Sequence, residues 1–362
     1  MSQGVFNFNA GPGVLPLDVL QEVQAQMLNY QETGMSILET SHRSKAYETI
    51  NRRAEANLKE LLGLGDTYRV LFLQGGASTQ FAMIPMNLLP AGQTADYILT
   101  GAWSEKALKE AKLFGNTHIA ATTAEGNYKR IPHKDEIQLS DQPAYVHVTS
   151  NNTIFGTQWG QLPSFGKVPL IADMSSDILS KPFAGENLSL IYAGAQKNLG
   201  PSGVTVVIAR KELLENNPKD IPTMMRYETH ANNDSLYNTP PAFSVYVLDL
   251  VLQWVKSQGG LAGMQKRNAE KAALIYNTID QSGSFYIGHA EQDSRSLMNI
   301  TFRLPSEEQE KAFVSQAEQA GLIGLKGHRS VGGLRASVYN AMTLEGCQAL
   351  RQFMLDFQQN NG

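Results

Sequence analysis

Short apolar runs alternate with helix-like patterns over residues 18–217 of this 362-residue chain. The runs have the length of strands and lead into turns rich in glycine or serine, and the stretches that follow carry apolar residues at helical spacing. This alternation predicts an α/β fold whose large domain holds a mostly parallel sheet flanked by helices. Ligands of such sheets bind outside the carboxyl ends of the strands, so residues directly after the runs are the candidate site.

One lysine, Lys197, stands in the small-residue stretch YAGAQKNLGP at residues 192–201, directly after the apolar run at 188–191. Burial among small and apolar residues lowers the pKa of a lysine, so its free amine can attack a carbonyl near neutral pH and form a Schiff base. An ordinary solvated loop lysine is the alternative. The stretch therefore makes Lys197 a candidate catalytic residue.

A carboxylate, Asp173, follows the apolar run at residues 168–172. Because Asp173 and Lys197 each close a predicted strand, the two side chains can converge on one ligand. A carboxylate beside a buried pyridine nitrogen favours the protonated ring, which then acts as an electron sink. The alternative is that Asp173 only caps a turn or a helix.

A possible phosphate site lies in VLFLQGGASTQFAM at residues 70–83, which reads as a strand, a glycine turn and a helix. Glycines let backbone N–H groups approach an anion, Ser78 and Thr79 can donate hydroxyls, and the helix directs its positive end at the ligand. The segment matches neither the Walker A pattern nor the dinucleotide-binding G-x-G-x-x-G pattern. An ordinary strand-to-helix turn is the alternative.

Further candidates follow other predicted strands or occupy basic clusters. Trp103 comes just after the run at residues 94–101, where an indole can stack on a planar ligand, and a polar cluster at 149–153 follows the run at 144–148. Two histidine–arginine pairs stand among small residues, and the arginine fork matches carboxylate and phosphate. Solvated surface positions are the alternative for these pairs, which are His42-Arg43 and His328-Arg329.

Composition excludes several classes of protein. The net charge of −4 argues against a nucleic-acid surface, and the sequence contains neither an apolar run of membrane-spanning length nor a signal peptide at its start. The one cysteine, Cys347, lies on a predicted helix face and suits packing in a reducing compartment. The seven histidines lack the spacing of a helical zinc site. We therefore expect a cytoplasmic protein without a metal.

The C-terminal part reads as a smaller α+β domain. Helical patterns at residues 261–280, 307–320 and 344–358 mix with strand patterns at 298–302 and 334–338. A long helix at 242–256 ends at Gly259-Gly260, where we place the domain change. The predicted division is a large domain of residues 16–258 and a small domain of residues 1–15 with 259–362.

Five strings together carry a resemblance to a known family: Ser41-His42-Arg43, Gly75-Gly76-Ala77, YAGAQKNLG at 192–200, NTPP at 238–241, and KGHRSVGGLRASVYN at 326–340. In this combination the chain closely resembles the phosphoserine aminotransferases, class V members of the fold type I pyridoxal-phosphate (PLP) enzymes. The resemblance runs from residues 6–8 to the C-terminal helix and covers essentially the whole chain.

The resemblance implies a set of cofactor contacts. Lys197 would form the Schiff base with PLP and later act as the general base, Asp173 would pair with the pyridinium nitrogen, and Trp103 would stack on the ring. Thr153 would make a polar contact to the ring. The cofactor phosphate would rest on Ala77, Ser78 and Gln196, and would be reached from the neighbouring subunit of a homodimer by Asn238 and Thr239.

The resemblance also implies the reaction. Arg335 would bind the substrate α-carboxylate, and the distal phosphate or γ-carboxylate would be held by His42, Arg43, His328 and Arg329, some of them across the subunit interface. L-Glutamate would donate its amino group to 3-phosphohydroxypyruvate, giving O-phospho-L-serine and 2-oxoglutarate in serine biosynthesis. 3-Hydroxy-2-oxo-4-phosphooxybutanoate of pyridoxine biosynthesis would be a further acceptor. Two departures bear on affinity: Ser78, where many members have arginine, and Ala10, where some have serine.

Three rival functions remain open from the residues alone. A cysteine desulfurase would need a mobile loop cysteine, which Cys347 does not suit. An alanine- or serine-glyoxylate aminotransferase would leave the two His-Arg pairs without a purpose, because its acceptor is so small. A non-catalytic phosphate-ligand binding protein would use Lys197 only as an ion-pair partner.

Overall fold

The computed structural model describes residues 4–183, 185–215, 218 and 220–362. Residue 217, at the end of the predicted alternation, and residues 1–3 of the predicted N-terminal segment lie outside this set. The α-helices of the described residues are α1 (Leu17–Gln26), α2 (Lys45–Leu61), α3 (Gly76–Leu88), α4 (Ala102–Ala111), α5 (Lys211–Leu214), α6 (Tyr227–Ala231), α7 (Ala242–Ser257), α8 (Gly260–Asp280), α9 (Glu307–Gln319) and α10 (Leu344–Asn361).

The strands of the same residues are β1 (Phe6–Asn7), β2 (Tyr68–Leu73), β3 (Thr94–Leu99), β4 (Asn116–Thr122), β5 (Pro143–Thr149), β6 (Asn151–Asn152), β7 (Thr157–Gln158), β8 (Leu170–Asp173), β9 (Leu190–Gly194), β10 (Thr205–Arg210), β11 (Ile287–Gly288), β12 (Asn299–Arg303), β13 (Leu322–Ile323) and β14 (Leu334–Ser337). A seven-stranded sheet has the order β2-β10-β9-β8-β5-β3-β4. Strand β10 is antiparallel to both of its neighbours, whereas β9, β8, β5, β3 and β4 run parallel. The predicted α/β class with a mostly parallel sheet is confirmed.

Local sequence explains where the helices begin. Ser44 precedes α2 and accepts a hydrogen bond from Tyr47 N at 3.3 Å, so its side chain replaces a missing intrahelical partner. Helix α4 begins at Ala102, because Ser104 Oγ accepts hydrogen bonds from Thr100 N at 3.0 Å and from Gly101 N at 3.2 Å. The serine therefore stabilises the first turn from within the helix.

The strand before the lysine is longer than its apolar run suggests. Pairing with β10 continues to the partners Thr205 and Gly194, so β9 includes the first three residues of the YAGAQKNLGP stretch. A Cβ at Gly194 would lie 2.5 Å from Gln196 Oε1, which shows how tightly the following turn folds back. Lys197 consequently lies in the turn between β9 and β10, as the strand-end prediction requires.

Apolar side chains form three clusters. One lies on one face of the large sheet and contains residues such as Ile191 and Val206, and another lies on the opposite face and contains Tyr192 and Val207. The third is built from the C-terminal elements together with Phe8 of the N-terminal segment. This grouping resembles the predicted division into two domains, whose boundaries stay a prediction.

Three further observations concern the cysteine, membrane-spanning helices and groups of potential metal ligands. Cys347 is a fully buried free thiol in α10, which confirms its packing position. Among the described residues, none of the helices combines the length and apolar character that a bilayer span needs. The same part of the chain holds no group of three or more His, Cys, Asp or Glu side chains arranged for a metal ion.

Candidate active site

A cavity of about 310 Å³ opens at the carboxyl ends of the parallel strands. It collects side chains from the turns after β2, β3, β5, β8 and β9, and from the C-terminal part of the chain. Nine of the sequence-predicted site residues line it: Ala77, Ser78, Trp103, Thr153, Asp173, Gln196, Lys197, His328 and Arg335. Residues more than 250 positions apart in sequence thus share one cavity wall.

Lys197 is held as a low-pKa amine. Its Nζ donates to Thr153 Oγ1 at 2.9 Å. Burial lowers the pKa of Lys197 to about 8, Asp173 opposes this shift through its negative charge, and the positive charge of Arg335 adds to it. About a tenth of the amine is therefore uncharged at pH 7, far more than for an ordinary lysine.

Asp173 is the last residue of β8 and is 5% exposed. Burial raises its pKa, while hydrogen bonds from Ser175 and the charge of Lys197 lower it. Ser175 N donates to Asp173 Oδ1 at 3.0 Å and Ser175 Oγ donates at 2.6 Å. Asp173 thus caps the turn after its strand, as the alternative interpretation held, and it also lines the cavity.

The glycine turn forms the start of α3 at one end of the cavity. Gly75 is in the left-handed conformation with φ +90°, and a Cβ there would overlap Thr79 Oγ1. No side chain of the described residues caps this helix start. Its first N–H groups belong to Gly76, Ala77 and Ser78, which all line the cavity, and a helix N-terminus of this kind suits an anion.

Two uncharged polar atoms in the cavity wall have no hydrogen-bond partner among the described residues. Trp103 Nε1 and Thr149 Oγ1 are buried and make no hydrogen bond with any described residue. Lys106 Nζ lies 4.2 Å from the Trp103 ring centroid, which steadies the indole through a cation–π contact. Buried polar atoms without partners are costly, so these two indicate a place for a polar ligand.

The C-terminal segment supplies cationic groups. Arg335, on β14, donates from Nη1 to the backbone oxygen of Thr153 at 3.3 Å, and its Nε is buried without a partner in the described part of the chain. His328 also lines the cavity, and its Nδ1 lies 2.7 Å from Ser330 Oγ. A guanidinium with a free edge inside a cavity suits a carboxylate.

Five predicted site residues do not line this cavity: His42, Arg43, Asn238, Thr239 and Arg329. The side chains of Arg43, Asn238, Thr239 and Arg329 are exposed, and His42 Nε2 is buried without a partner among the described residues. Asn238 instead lines a separate cavity beside Gly75 and Thr79. Their predicted contacts across a subunit interface stay a prediction.

Sequence reasoning missed several residues of the site. Ser175 stands two residues after Asp173 and has no predicted role, although it donates two hydrogen bonds to Asp173. Gly11 lies against Lys197, since a Cβ on Gly11 would be 3.6 Å from Lys197 Cε, and it too lines the cavity. The N-terminal segment carries no strand or helix pattern that would place it there.

Known proteins resemble this chain over essentially its full length. The profile of the class-V aminotransferase family matches residues 5–350. A phosphoserine aminotransferase of Niallia circulans is 59% identical over 362 residues, which is 100% of both chains.

Two solved structures show the same fold. The phosphoserine aminotransferase from Bacillus circulans subsp. alkalophilus superposes with a TM-score of 0.98 at 59% identity and covers 99% of each chain. The PLP-bound phosphoserine aminotransferase from Trichomonas vaginalis gives a TM-score of 0.92 at 38% identity, covering 97% of this chain and 99% of its own. The chain therefore belongs to the class-V aminotransferases and, within them, to the phosphoserine aminotransferase family.

Proposed function

We propose that this chain uses PLP to transfer the amino group of L-glutamate to 3-phosphohydroxypyruvate, forming O-phospho-L-serine and 2-oxoglutarate. Full-length identity to proteins named for this activity supports the substrate pair. The observation that carries the proposal is the cavity in which Lys197, Asp173 and Arg335 meet. We extend it to 3-hydroxy-2-oxo-4-phosphooxybutanoate, because that acceptor is also an oxoacid with a distal phosphate.

The residues around the cavity fit PLP. The unpartnered Trp103 Nε1 and Thr149 Oγ1 need a polar ligand, and the uncapped start of α3 suits a phosphate. Asp173 and Lys197 provide a carboxylate and an amine in the same cavity. The residues that would hold the cofactor are Ala77, Ser78, Trp103, Thr153, Asp173, Gln196 and Lys197, with Asn238 and Thr239 from the second subunit.

The chemistry divides between the cofactor and the protein. When bound, PLP supplies a carbonyl for Lys197 and a protonated ring that takes up the electrons left at the substrate Cα. Lys197 Nζ removes the Cα proton as a general base, which its pKa of about 8 permits near neutral pH. Thr153 Oγ1, 2.9 Å from Nζ, orients the amine. Asp173 holds the proton on the ring nitrogen through its negative charge.

Cationic side chains orient both substrates. Arg335 binds the α-carboxylate, and its contact with the Thr153 backbone at 3.3 Å ties it to the residue that orients Lys197. The distal group is bound by the histidine–arginine pairs at residues 42–43 and 328–329. Phosphate and γ-carboxylate are both anionic, so one set of cations serves substrates of different length.

The active assembly that we infer is a cytoplasmic homodimer with shared sites. Large apolar side chains are exposed along residues 17–38; Leu28, for example, is 87% exposed and Leu38 is 63% exposed. Apolar patches of this kind mark interaction surfaces. Asn238 and Thr239 are exposed and lie outside the cavity of their own chain, which supports a role for them in the site of a second copy. The buried free thiol of Cys347 suits a reducing compartment.

Absorbance of the cofactor-loaded protein tests the reaction. L-Glutamate and, on a fresh sample, O-phosphoserine should each bleach the band of the lysine-bound cofactor, and borohydride should fix the cofactor to Lys197. A band that responds to glutamate alone would mean a different acceptor, such as glyoxylate. A cofactor-saturated protein without the band, or without a borohydride adduct, would leave only a phosphate-binding protein.

Mixing two inactive variants tests the shared sites. Lys197→Ala removes the amine, and Asn238→Glu places a negative charge near the proposed phosphate site. A heterodimer of the two contains one site with both defects and one with neither, so dissociation and reassociation of the mixture should restore activity. Absence of any recovery in mixtures that size-exclusion and mass measurements show to be heterodimeric would contradict shared sites.

A further inference from the structure

A buried tyrosine contacts the N-terminal segment beside Lys197. Tyr339 follows β14 and is 1% exposed. Its hydroxyl donates to the backbone oxygen of Ala10 at 2.6 Å. Ala10 and Gly11 line the active-site cavity, whereas Tyr339 is not among the residues that line it. Tyr339 therefore supports the cavity wall from behind.

The hydrogen-bond partners of Tyr339 fix where its hydroxyl proton points. Asn299 Nδ2 donates to the Tyr339 oxygen at 3.2 Å. Asn299 Oδ1 in turn accepts from Asn151 Nδ2 at 2.8 Å, which fixes the orientation of the amide. An amide N–H only donates and a backbone carbonyl only accepts, so the hydroxyl proton goes to Ala10. Burial raises the pKa of Tyr339 to about 12, so this proton stays bound at physiological pH.

The ring of Tyr339 supports the same segment at Gly13. A Cβ on Gly13 would lie 2.8 Å from Tyr339 Cδ2, so the backbone lies against the ring without room for a side chain. Gly13 N donates to Gln196 O at 2.7 Å, which joins the segment to the residue before Lys197. A Cβ on Gly11 would be 3.6 Å from Lys197 Cε. The segment thus contacts both Tyr339 and the turn that carries Lys197.

We propose that Tyr339 is a positioning residue for Lys197, because its hydroxyl and ring hold residues 10–13 as a wall against the lysine side chain. The inference rests on the proposed role of Lys197 as the amine that reacts with the cofactor. Water that reaches an amine stabilises its charged form, so a wall on this side preserves the uncharged amine.

Charged groups also act on Lys197 from other parts of the chain. They are Asp173, Asp177 and Arg335. The phenol of Tyr339 is neutral at physiological pH, so Tyr339→Phe removes a hydroxyl and leaves all three charges in place. A change in the acidity of Lys197 in this variant would consequently report the position of the segment.

Hydrogen exchange tests whether the hydroxyl anchors the segment. In Tyr339→Phe the anchoring bond is lost, so the amide of Gly13 should exchange about two- to tenfold faster, as expected for the loss of one hydrogen bond. Tyr286→Phe is the matched control, because the Tyr286 hydroxyl is also buried and donates to a backbone oxygen, that of Met354, at 2.8 Å. Overlapping peptic peptides of the full-length protein that cover residues 9–15 give the rates by mass spectrometry.

The acidity of Lys197 tests whether this anchor acts on the lysine. Trace acetic anhydride labels the uncharged amine of the full-length apoprotein at a series of pH values, and the midpoint of labelling gives the pKa. In Tyr339→Phe a loosened segment admits water, so the midpoint should move up by about half a pH unit to one unit. Tyr286→Phe should keep the midpoint of the unaltered protein, and circular dichroism confirms folding of each variant.

A second variant perturbs the same contact from its other side. In Gly13→Ala the added methyl would overlap the Tyr339 ring and should displace the segment while the hydroxyl remains. The midpoint of Lys197 should therefore rise here too. This variant provides the test if Tyr339→Phe fails to fold.

The outcomes separate this proposal from the proposed function. Faster exchange together with a raised midpoint in Tyr339→Phe, and neither change in Tyr286→Phe, supports a positioning role. Unchanged exchange or an unchanged midpoint in Tyr339→Phe, or equal shifts in both variants, would overturn that role while leaving the proposed function intact. If borohydride fixes no cofactor to Lys197 of the unaltered protein, the proposed function itself fails, whatever the midpoints show.

Discussion

The most direct consequence of the site is the acidity of Lys197. An ordinary lysine in solution has a pKa near 10.5, whereas burial lowers that of Lys197 to about 8. At pH 7 the uncharged fraction of Lys197 is therefore about 300-fold larger than that of an ordinary lysine, from the two-and-a-half-unit difference. Below pH 7 both fractions fall tenfold per unit, so the ratio persists.

Competitive labelling of the apoprotein measures this difference. Trace acetic anhydride is added at a series of pH values with free phenylalanine as an internal standard, and the peptide that carries Lys197 is quantified by mass spectrometry. Labelling should rise with pH and level off with a midpoint near 8. In Asp173→Asn the midpoint should move to lower pH, because the negative charge of Asp173 raises the pKa of Lys197.

Two results would refute this reasoning. Labelling that keeps rising beyond pH 10 would show a lysine of ordinary acidity. A midpoint that rises in Asp173→Asn would show that Asp173 does not stabilise the ammonium form.

Three further predictions concern stability, each read from urea unfolding. Gly75→Ala should lower the free energy of unfolding by about 1–3 kcal/mol, since φ is +90° and the new Cβ overlaps Thr79 Oγ1; an unchanged midpoint would contradict it. Arg53→Met should lower the free energy of unfolding by about 2–3 kcal/mol at pH 7, because it leaves the fully buried Asp249 without its ion-pair partner at 2.5 Å. The side chain of Arg53 is 35% exposed, and solvent screening keeps the loss from being larger. The loss should be smaller in acid, where Asp249 is protonated. For His147, burial lowers the folded pKa to about 3, below the ordinary 6.5, so the unfolded state binds the extra proton and stability falls as the pH drops from 6.5 towards 3. His147→Phe should reduce the slope of unfolding free energy against pH by up to about 1.4 kcal/mol per pH unit. An identical slope in the variant would show that His147 has the same pKa in the folded and unfolded states.

The sequence predicted most elements because their patterns are local. The predicted helices at 242–256 and 261–280 correspond to α7 and α8, and the strand patterns at 298–302 and 334–338 to β12 and β14. Strand ends were harder, because β9 continues through Tyr192 and Gly194 by pairing with β10, which no local pattern reveals. Pairing between strands is a long-range property, so sequence periodicity cannot fix where it stops.

The residues of the site also fall into those that the sequence predicts and those that it does not. Asp173 and Lys197 were found because each follows an apolar run, and sheet topology makes such positions converge. Ser175 and Gly11 were missed for different reasons: Ser175 acts through Asp173, and Gly11 comes from a segment without periodicity. Tyr339 reads as one aromatic residue after a predicted strand, and only its 2.6 Å contact with the N-terminal segment distinguishes it.

The sequence by itself determined the fold class, the turn that carries Lys197 and the glycine turn at the start of α3, because strand and helix periods, glycine and small residues act over a few positions. Only the tertiary structure decided the pKa of Lys197, the partners of Asp173 and the meeting of Arg335 with Thr153. These depend on burial and on distances between residues far apart in the chain. Desolvation and hydrogen bonding arise from what surrounds an atom in space, which the order of residues does not specify locally.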